Sequence, residues 1–148
     1  MAHSKKLQFI LNKLYELNPD KIELKLDRVL RLANDLGDPH KKLKNVITVT
    51  GTNGKGGTAF YLKEILQAHG YAVSLFQSPF LYNFLTRFLI NGKPLDEEKF
   101  IDFVIEVDKA NNNQDITFFE YITCIAFKVF AEAKSDFNIM ETGLGGKY

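Results

Sequence analysis

The chain has 148 residues, the length of one ordinary domain, and with 45% hydrophobic and 13% aromatic residues it can build a core, which excludes general disorder. Its 19 Lys and Arg nearly cancel its 18 Asp and Glu, so there is no global positive field of the kind a dedicated nucleic-acid binder uses, and a polyanion must be caught locally. Cys124 is the only cysteine, which excludes an intrachain disulfide and a cysteine-rich metal centre and fits a reducing cytoplasm.

Gln8, Asn12 and Lys13 interrupt the apolar residues near the N-terminus, so no secretory core forms, and no apolar run reaches the roughly 18 residues of a membrane span. Leu7, Ile10, Leu11, Leu14 and Leu17 recur at helical spacing and predict an amphipathic helix from about residue 5 to 17, stopped by Asn18-Pro19. Leu26, Val29, Leu30, Ala33 and Leu36 predict a second helix, closed by Gly37 with Pro39 beyond it. Both read as packing elements. After the lysine-rich connector 41–44, the β-branched run Val46-Ile47-Thr48-Val49-Thr50 predicts a buried parallel strand. A glycine-rich loop, 51–57, follows at once, then a helix from Thr58 through His69 ended by Gly70, then a second strand over 71–76. Residues 46–76 thus form one βαβ unit, which requires a parallel sheet.

From 77 to 95 the periodicity lapses, and a long loop with a small hairpin at its end is expected, Phe88-Leu89-Ile90 meeting the turn signal Asn91-Gly92. Asp96 can cap a helix carrying Phe100, Phe103, Val104 and Val107. Thr117-Phe118-Phe119-Glu120 has capping-box spacing and opens an apolar, buried helix to about Lys134. Phe137-Asn138-Ile139-Met140 predicts a third strand, and Glu141-Thr142-Gly143-Leu144-Gly145-Gly146 leaves its carboxyl end. The expected architecture is α/β: a P-loop-containing parallel sheet of at least three strands, flanked by helices and preceded by a two-helix N-terminal segment.

Gly51-Thr52-Asn53-Gly54-Lys55 has a mechanical reason to exist. Glycines let successive N–H groups turn inward, the following helix adds its positive end, and a lysine reaches the outer phosphates. The strict G-x-x-x-x-G-K-[ST] pattern is not met, since Val49 stands at its first glycine and Gly56 follows the lysine, but the strand before and the helix after supply the context that a phosphate cradle needs. Ser78 ends the second strand and Glu141 the third. In an open parallel sheet both oxygen groups converge on the loop, where a hard Mg²⁺ ion shared with a triphosphate takes one or two protein ligands. Taken singly, Ser78 is a loop hydroxyl and Glu141 a solvated strand end. His3 and His40 read as solvated, His69 as a helix-end cation, and Cys124 as a small buried hydrophobe.

Five ordered motifs carry a resemblance. Thr50-Gly51-Thr52-Asn53-Gly54-Lys55-Gly56, Gln77-Ser78-Pro79-Phe80, Asn91-Gly92, Thr117-Phe118-Phe119-Glu120 with Thr123, Ala126 and Phe127, and the 141–146 motif together resemble folylpolyglutamate synthase and dihydrofolate synthase, a family of the Mur ligase superfamily. Leu26-Asp27-Arg28 and Leu36-Gly37-Asp38-Pro39 match as well, so the likeness covers nearly everything from Leu26 onward. It implies an ATP-dependent amide ligase that joins L-glutamate to dihydropteroate or a folate through an acyl phosphate, with ATP and Mg²⁺ as cofactors. Gly51, Thr52, Asn53, Gly54, Lys55, Gly56, Gly57 and Thr58 would line the phosphates, with Lys55 the catalytic cation, while Ser78 and Glu141 would hold the metal. The segment from Ser78 to about Ile90 would lie near the folate, with Phe80, Phe84 and Arg87 as candidates. Phe80, Phe84 and Phe88 can offer flat surface to a pterin or anchor the loop in the core.

The chain departs from the family in three places. Gly57 replaces a Ser or Thr, leaving Thr58 one residue on; Leu85 and Thr86 replace a usual Asn and Glu; and the family continues well past this sequence into a metal-binding histidine, a modified lysine and a glutamate-binding domain. On that resemblance 1–44 is a helical segment, 45–148 an incomplete ATP-binding domain, and the C-terminal ligase domain is absent or supplied by a separate chain. By itself the chain is expected not to form the amide. A degenerate or truncated nucleotide-binding fragment without catalysis is the alternative, and another P-loop NTPase or kinase a more distant one, since the 141–146 motif has no place in it.

Overall fold

A computed structural model of the protein describes residues 4–17, 25–80 and 83–144. The expected stop at Asn18-Pro19, His3 and the glycines 145 and 146 lie outside them. Helix α1 (Lys5–Tyr15) starts where the Ser4 hydroxyl accepts the Leu7 N–H at 3.1 Å, and it buries Leu7, Leu11 and Leu14. Helix α2 (Asp27–Asp35) buries Leu32 and Ala33, and a short 3-10 turn (Pro39–Lys42) leads to strand β1 (Val46–Val49). Helix α3 (Lys55–Ala68) begins three residues earlier than Thr58, because Gly54 takes the left-handed conformation (φ 77°) that ends the loop and admits Lys55 as the first helical residue. Strand β2 (Val73–Phe76), strands β3 (Phe88–Ile90) and β4 (Lys93–Pro94), helices α4 (Glu97–Asn111) and α5 (Phe118–Ala133) and strand β5 (Phe137–Glu141) complete the chain.

The strands form one sheet in the order β1-β5-β2-β3-β4. β1, β5 and β2 run parallel, as the βαβ reading requires, while β3 pairs antiparallel with β2 and β4 with β3, so the sheet is mixed. The hairpin is therefore part of the sheet rather than the end of a loop. Its Asn91 side chain accepts the Val73 N–H at 2.9 Å, and the Asn91 N–H donates to the Val73 carbonyl at 2.8 Å, which ties the turn to the start of β2. β1 is parallel but not fully buried: among the described residues it pairs with β5 alone, lies on the outer edge of the sheet, and leaves Val46 48% exposed.

Strand alternation divides the interior. Leu75, Val73 and Ile139 face α3 with Ala59, whereas Phe76 and Met140 face the larger core made with α1, α2, α4 and α5. In that core Phe84, Phe88 and Phe100 stack within 5.3 to 6.1 Å of one another, and each ring withdrawn from water contributes about 1.5–3 kcal/mol. The capping box at Thr117 is complete: its hydroxyl accepts the Glu120 N–H, and Glu120 accepts the Thr117 N–H at 2.9 Å. Arg28 binds the same carboxylate at 2.9 Å and so fixes α2 to the start of α5.

Candidate active site

The parallel strands end level. Val49 pairs with Glu141 and Phe76 with Met140, so the glycine loop after β1, Gln77-Ser78 after β2 and Glu141 at the end of β5 meet at one edge of the sheet. Ligand-binding crevices of open α/β sheets lie at this edge. The loop is exposed from Gly51 to Gly54. Lys55 folds back across it, its ammonium donating to the Gly51 carbonyl at 2.8 Å. Gly56 and Gly57 lie in the first turn of α3. A side chain at Gly56 would meet the Glu141 carboxylate at 3.6 Å, whereas one at Gly57 would have nothing within 4 Å. Thr58 donates its N–H to the Gly54 carbonyl as an ordinary helical residue, and its side chain is exposed.

Glu141 is 5% exposed, and one of its oxygens, Oε2, accepts the main-chain N–H of Ser78 at 2.9 Å. Ser78 therefore meets Glu141 through its backbone, and this hydrogen bond aims the carboxylate at the first turn of α3. The other oxygen, Oε1, makes no hydrogen bond among the described residues. A carboxylate held beside a glycine loop and a helix N-terminus is a hard donor of the type Mg²⁺ takes. No group of three or more His, Cys, Asp or Glu side chains among the described residues could hold a metal unaided, so phosphate oxygens would have to complete the coordination.

Arg87 feels the Glu141 carboxylate electrostatically. Gln77 anchors its segment, the Gln77 N–H donating to the Arg87 carbonyl and the side-chain amide to the Thr86 carbonyl, each at 3.0 Å. Asn83 caps the turn Phe84–Arg87 through its side chain. The Arg87 guanidinium is 6% exposed and sits over Phe80, Phe84 and Phe118 at 5.4 to 5.7 Å. Its Nε and Nη1 are buried with no hydrogen-bond partner among the described residues. Burial pulls its pKa below the ordinary value, and the Glu141 carboxylate works against that. Phe84, 1% exposed, and Phe88 anchor the segment in the core, while Phe80 keeps an open face.

Gln77, Tyr15, Phe118 and Phe119 were not singled out as site residues by the sequence. Phe119 packs so closely on Gly143 that a side chain there would meet the ring at 2.9 Å, which fixes the chain just beyond Glu141. The capping box and the motif Thr117-Phe118-Phe119-Glu120 pointed to this segment, but they say where a helix starts, not where its rings lie. His40 is half-buried against the Phe127 ring at 5.6 Å rather than solvated. His69 bonds the Ile65 carbonyl at the end of α3, and Cys124 is buried, its thiol pushed up to about 12 by burial.

No protein-family model matches the chain. Curated proteins do. The dihydrofolate synthase/folylpolyglutamate synthase of Escherichia coli is 39% identical over 137 residues, 93% of this chain and 32% of the relative. Its Bacillus subtilis counterpart is 40% identical over 131 residues, 83% of this chain and 30% of the relative. Among solved structures, E. coli FolC in complex with DHPP and ADP matches with a TM-score of 0.88 at 38% identity, covering 95% of this chain and 34% of that one. The Yersinia pestis bifunctional enzyme complexed with AMPPNP and Mn matches with a TM-score of 0.87 at 37% identity, with the same coverage of 95% and 34%. The chain spans about a third of the length of these relatives. Ordered motifs, identity along most of the sequence and a shared fold together make this chain similar to about a third of the length of folylpolyglutamate synthase/dihydrofolate synthase enzymes.

Proposed function

We propose that this chain is the ATP-binding part of a ligase that joins L-glutamate to dihydropteroate or a folate. The observation that carries the reading is the level register of β1, β5 and β2, which brings the glycine loop, Ser78 and Glu141 to one edge of the sheet. Lys55 and the loop amides from Gly51 to Thr58 would hold the β- and γ-phosphates. Mg²⁺, held by Glu141 and Ser78 together with phosphate oxygens, would neutralise charge on the transferring group. A substrate carboxylate attacks the γ-phosphorus and ADP leaves, giving an acyl phosphate. The amine of glutamate then attacks the acyl carbon, phosphate departs with the bonding electrons, and the nitrogen loses a proton. The residues of this chain position these groups and neutralise their charge rather than supply covalent chemistry.

Residues 1–44 serve in this reading as a helical buttress, and 45–148 as the nucleotide-binding unit. The relatives are about three times as long, and the glutamate-binding part belongs to length that this sequence does not span. Cytoplasmic placement follows the same reading. The outer edge of β1 supports a further element beside it, because a strand with apolar side chains on both faces is built for the inside of a sheet. The test is calorimetric titration with ATP in the presence and absence of Mg²⁺. Binding should require Mg²⁺ and be lost in Glu141→Gln, and metal-independent affinity would overturn the assignment. Supplied with glutamate and dihydropteroate as well, the 148-residue chain alone should give no glutamylated product; turnover by it would refute the need for the remaining length.

A further inference from the structure

We propose that Tyr15, the last residue of α1, determines specificity on the acid-binding side of the site: its ring and that of Phe118 form the wall against which a flat aromatic acid held by Arg87 lies. The inference rests on the ligase reading above. Three observations carry it. Among the described residues Arg87 is buried with Nε and Nη1 unpartnered, and its neighbours are aromatic faces rather than carboxylates in hydrogen-bond contact. A guanidinium so placed is explained by a ligand that supplies the acceptors, and a planar acid matches its fork.

Tyr15 stands beside that guanidinium. Its ring stacks on Phe118 at 5.0 Å with an interplanar angle of 30°, meets Phe84 edge-on at 6.4 Å, and stays 44% exposed. The hydroxyl makes no hydrogen bond among the described residues, and the ring packs on Phe84 and Phe118, two of the rings that hold the Arg87 guanidinium. Its position is also fixed. The Phe118 N–H donates to the Leu17 carbonyl at 3.2 Å, and Thr117 caps the same helix start, so the end of α1 and the opening of α5 form one wall. Packing on Phe118 and Phe84 would be met as well by leucine. A half-open phenol ring adds a flat face and a polar rim next to an unpaired cation, and aromatic ligands stack on such faces in offset geometry.

The experiment is calorimetric titration of the whole chain with dihydropteroate, with Mg·ADP present to prevent turnover. Tyr15→Leu should weaken dihydropteroate binding by about threefold to tenfold, Tyr15→Phe should keep it within about twofold of wild type because the ring is retained, and Mg·ADP affinity should be the same in all three. Unchanged binding in Tyr15→Leu, while Arg87→Gln loses the ligand, would overturn the role of Tyr15 and leave the ligase reading standing. An Arg87→Gln chain that binds like wild type, or a wild type that does not bind dihydropteroate at all, would overturn the ligase reading and this inference with it. A Tyr15→Leu chain that also loses Mg·ADP would show a structural role only.

Discussion

The two sides of the candidate site are built by opposite means. On the proposed nucleotide side the glycine loop is exposed, polar and local: five consecutive residues, 50–54, between β1 and the first turn of α3 present main-chain groups, and little beyond the sheet and one helix holds them. On the proposed acid side the Arg87 guanidinium is buried among the rings of Phe80 and Phe84 and that of Phe118 from α5, with Tyr15 of α1 beside them. Phosphate recognition can be written in one short stretch because backbone N–H groups and a helix end do the binding, whatever the side chains. A pocket for a flat acid needs shaped apolar walls, and here rings of the Arg87 segment itself are completed by rings from helices distant in sequence.

Lys55→Ala is the sharpest way to separate the two sides. A charge-assisted bond to phosphate contributes roughly 1.5–3 kcal/mol, so Mg·ATP affinity should fall about tenfold or more, while the environment of Arg87 and the thermal midpoint stay near wild type. Unchanged nucleotide affinity by calorimetry would remove Lys55 from the site.

Gly143→Ala should act on both sides at once. The added methyl would meet Phe119 at 2.9 Å, and the ring is held against Phe76 at 5.9 Å, so the strand end carrying Glu141 must shift. Overpacking of this kind costs about 1–3 kcal/mol, and denaturant unfolding should show it together with weaker Mg·ATP binding. A variant as stable as wild type would mean that the chain beyond Glu141 gives way without disturbing the site.

The smallest effect is expected at Gly57, and it has the opposite sign. Nothing lies within 4 Å of a side chain placed there, and a non-glycine residue in a helical turn gains roughly 0.5–1 kcal/mol. Gly57→Ser should raise the unfolding midpoint slightly and tighten Mg·ATP, leaving acid binding untouched. Weaker nucleotide binding would show that the turn has no room for a hydroxyl once phosphate is bound.

Sequence alone determined what is local in this protein. The βαβ unit, both caps at Asp96 and Thr117, the glycine loop and the convergence of Ser78 and Glu141 were all readable, because periodicity, capping chemistry and strand order operate over a few residues or follow from a single topological rule. Tertiary structure decided the rest. It folded the hairpin at 88–94 into the sheet and used the main chain rather than the hydroxyl of Ser78 to orient Glu141. It also gathered Tyr15, Phe80, Phe84 and Phe118 around Arg87 from segments up to about a hundred residues apart. No local pattern encodes that gathering. It follows from the packing of α1 and α5 into one core, where the shape of the apolar surface, not the spacing of residues along the chain, sets which rings meet.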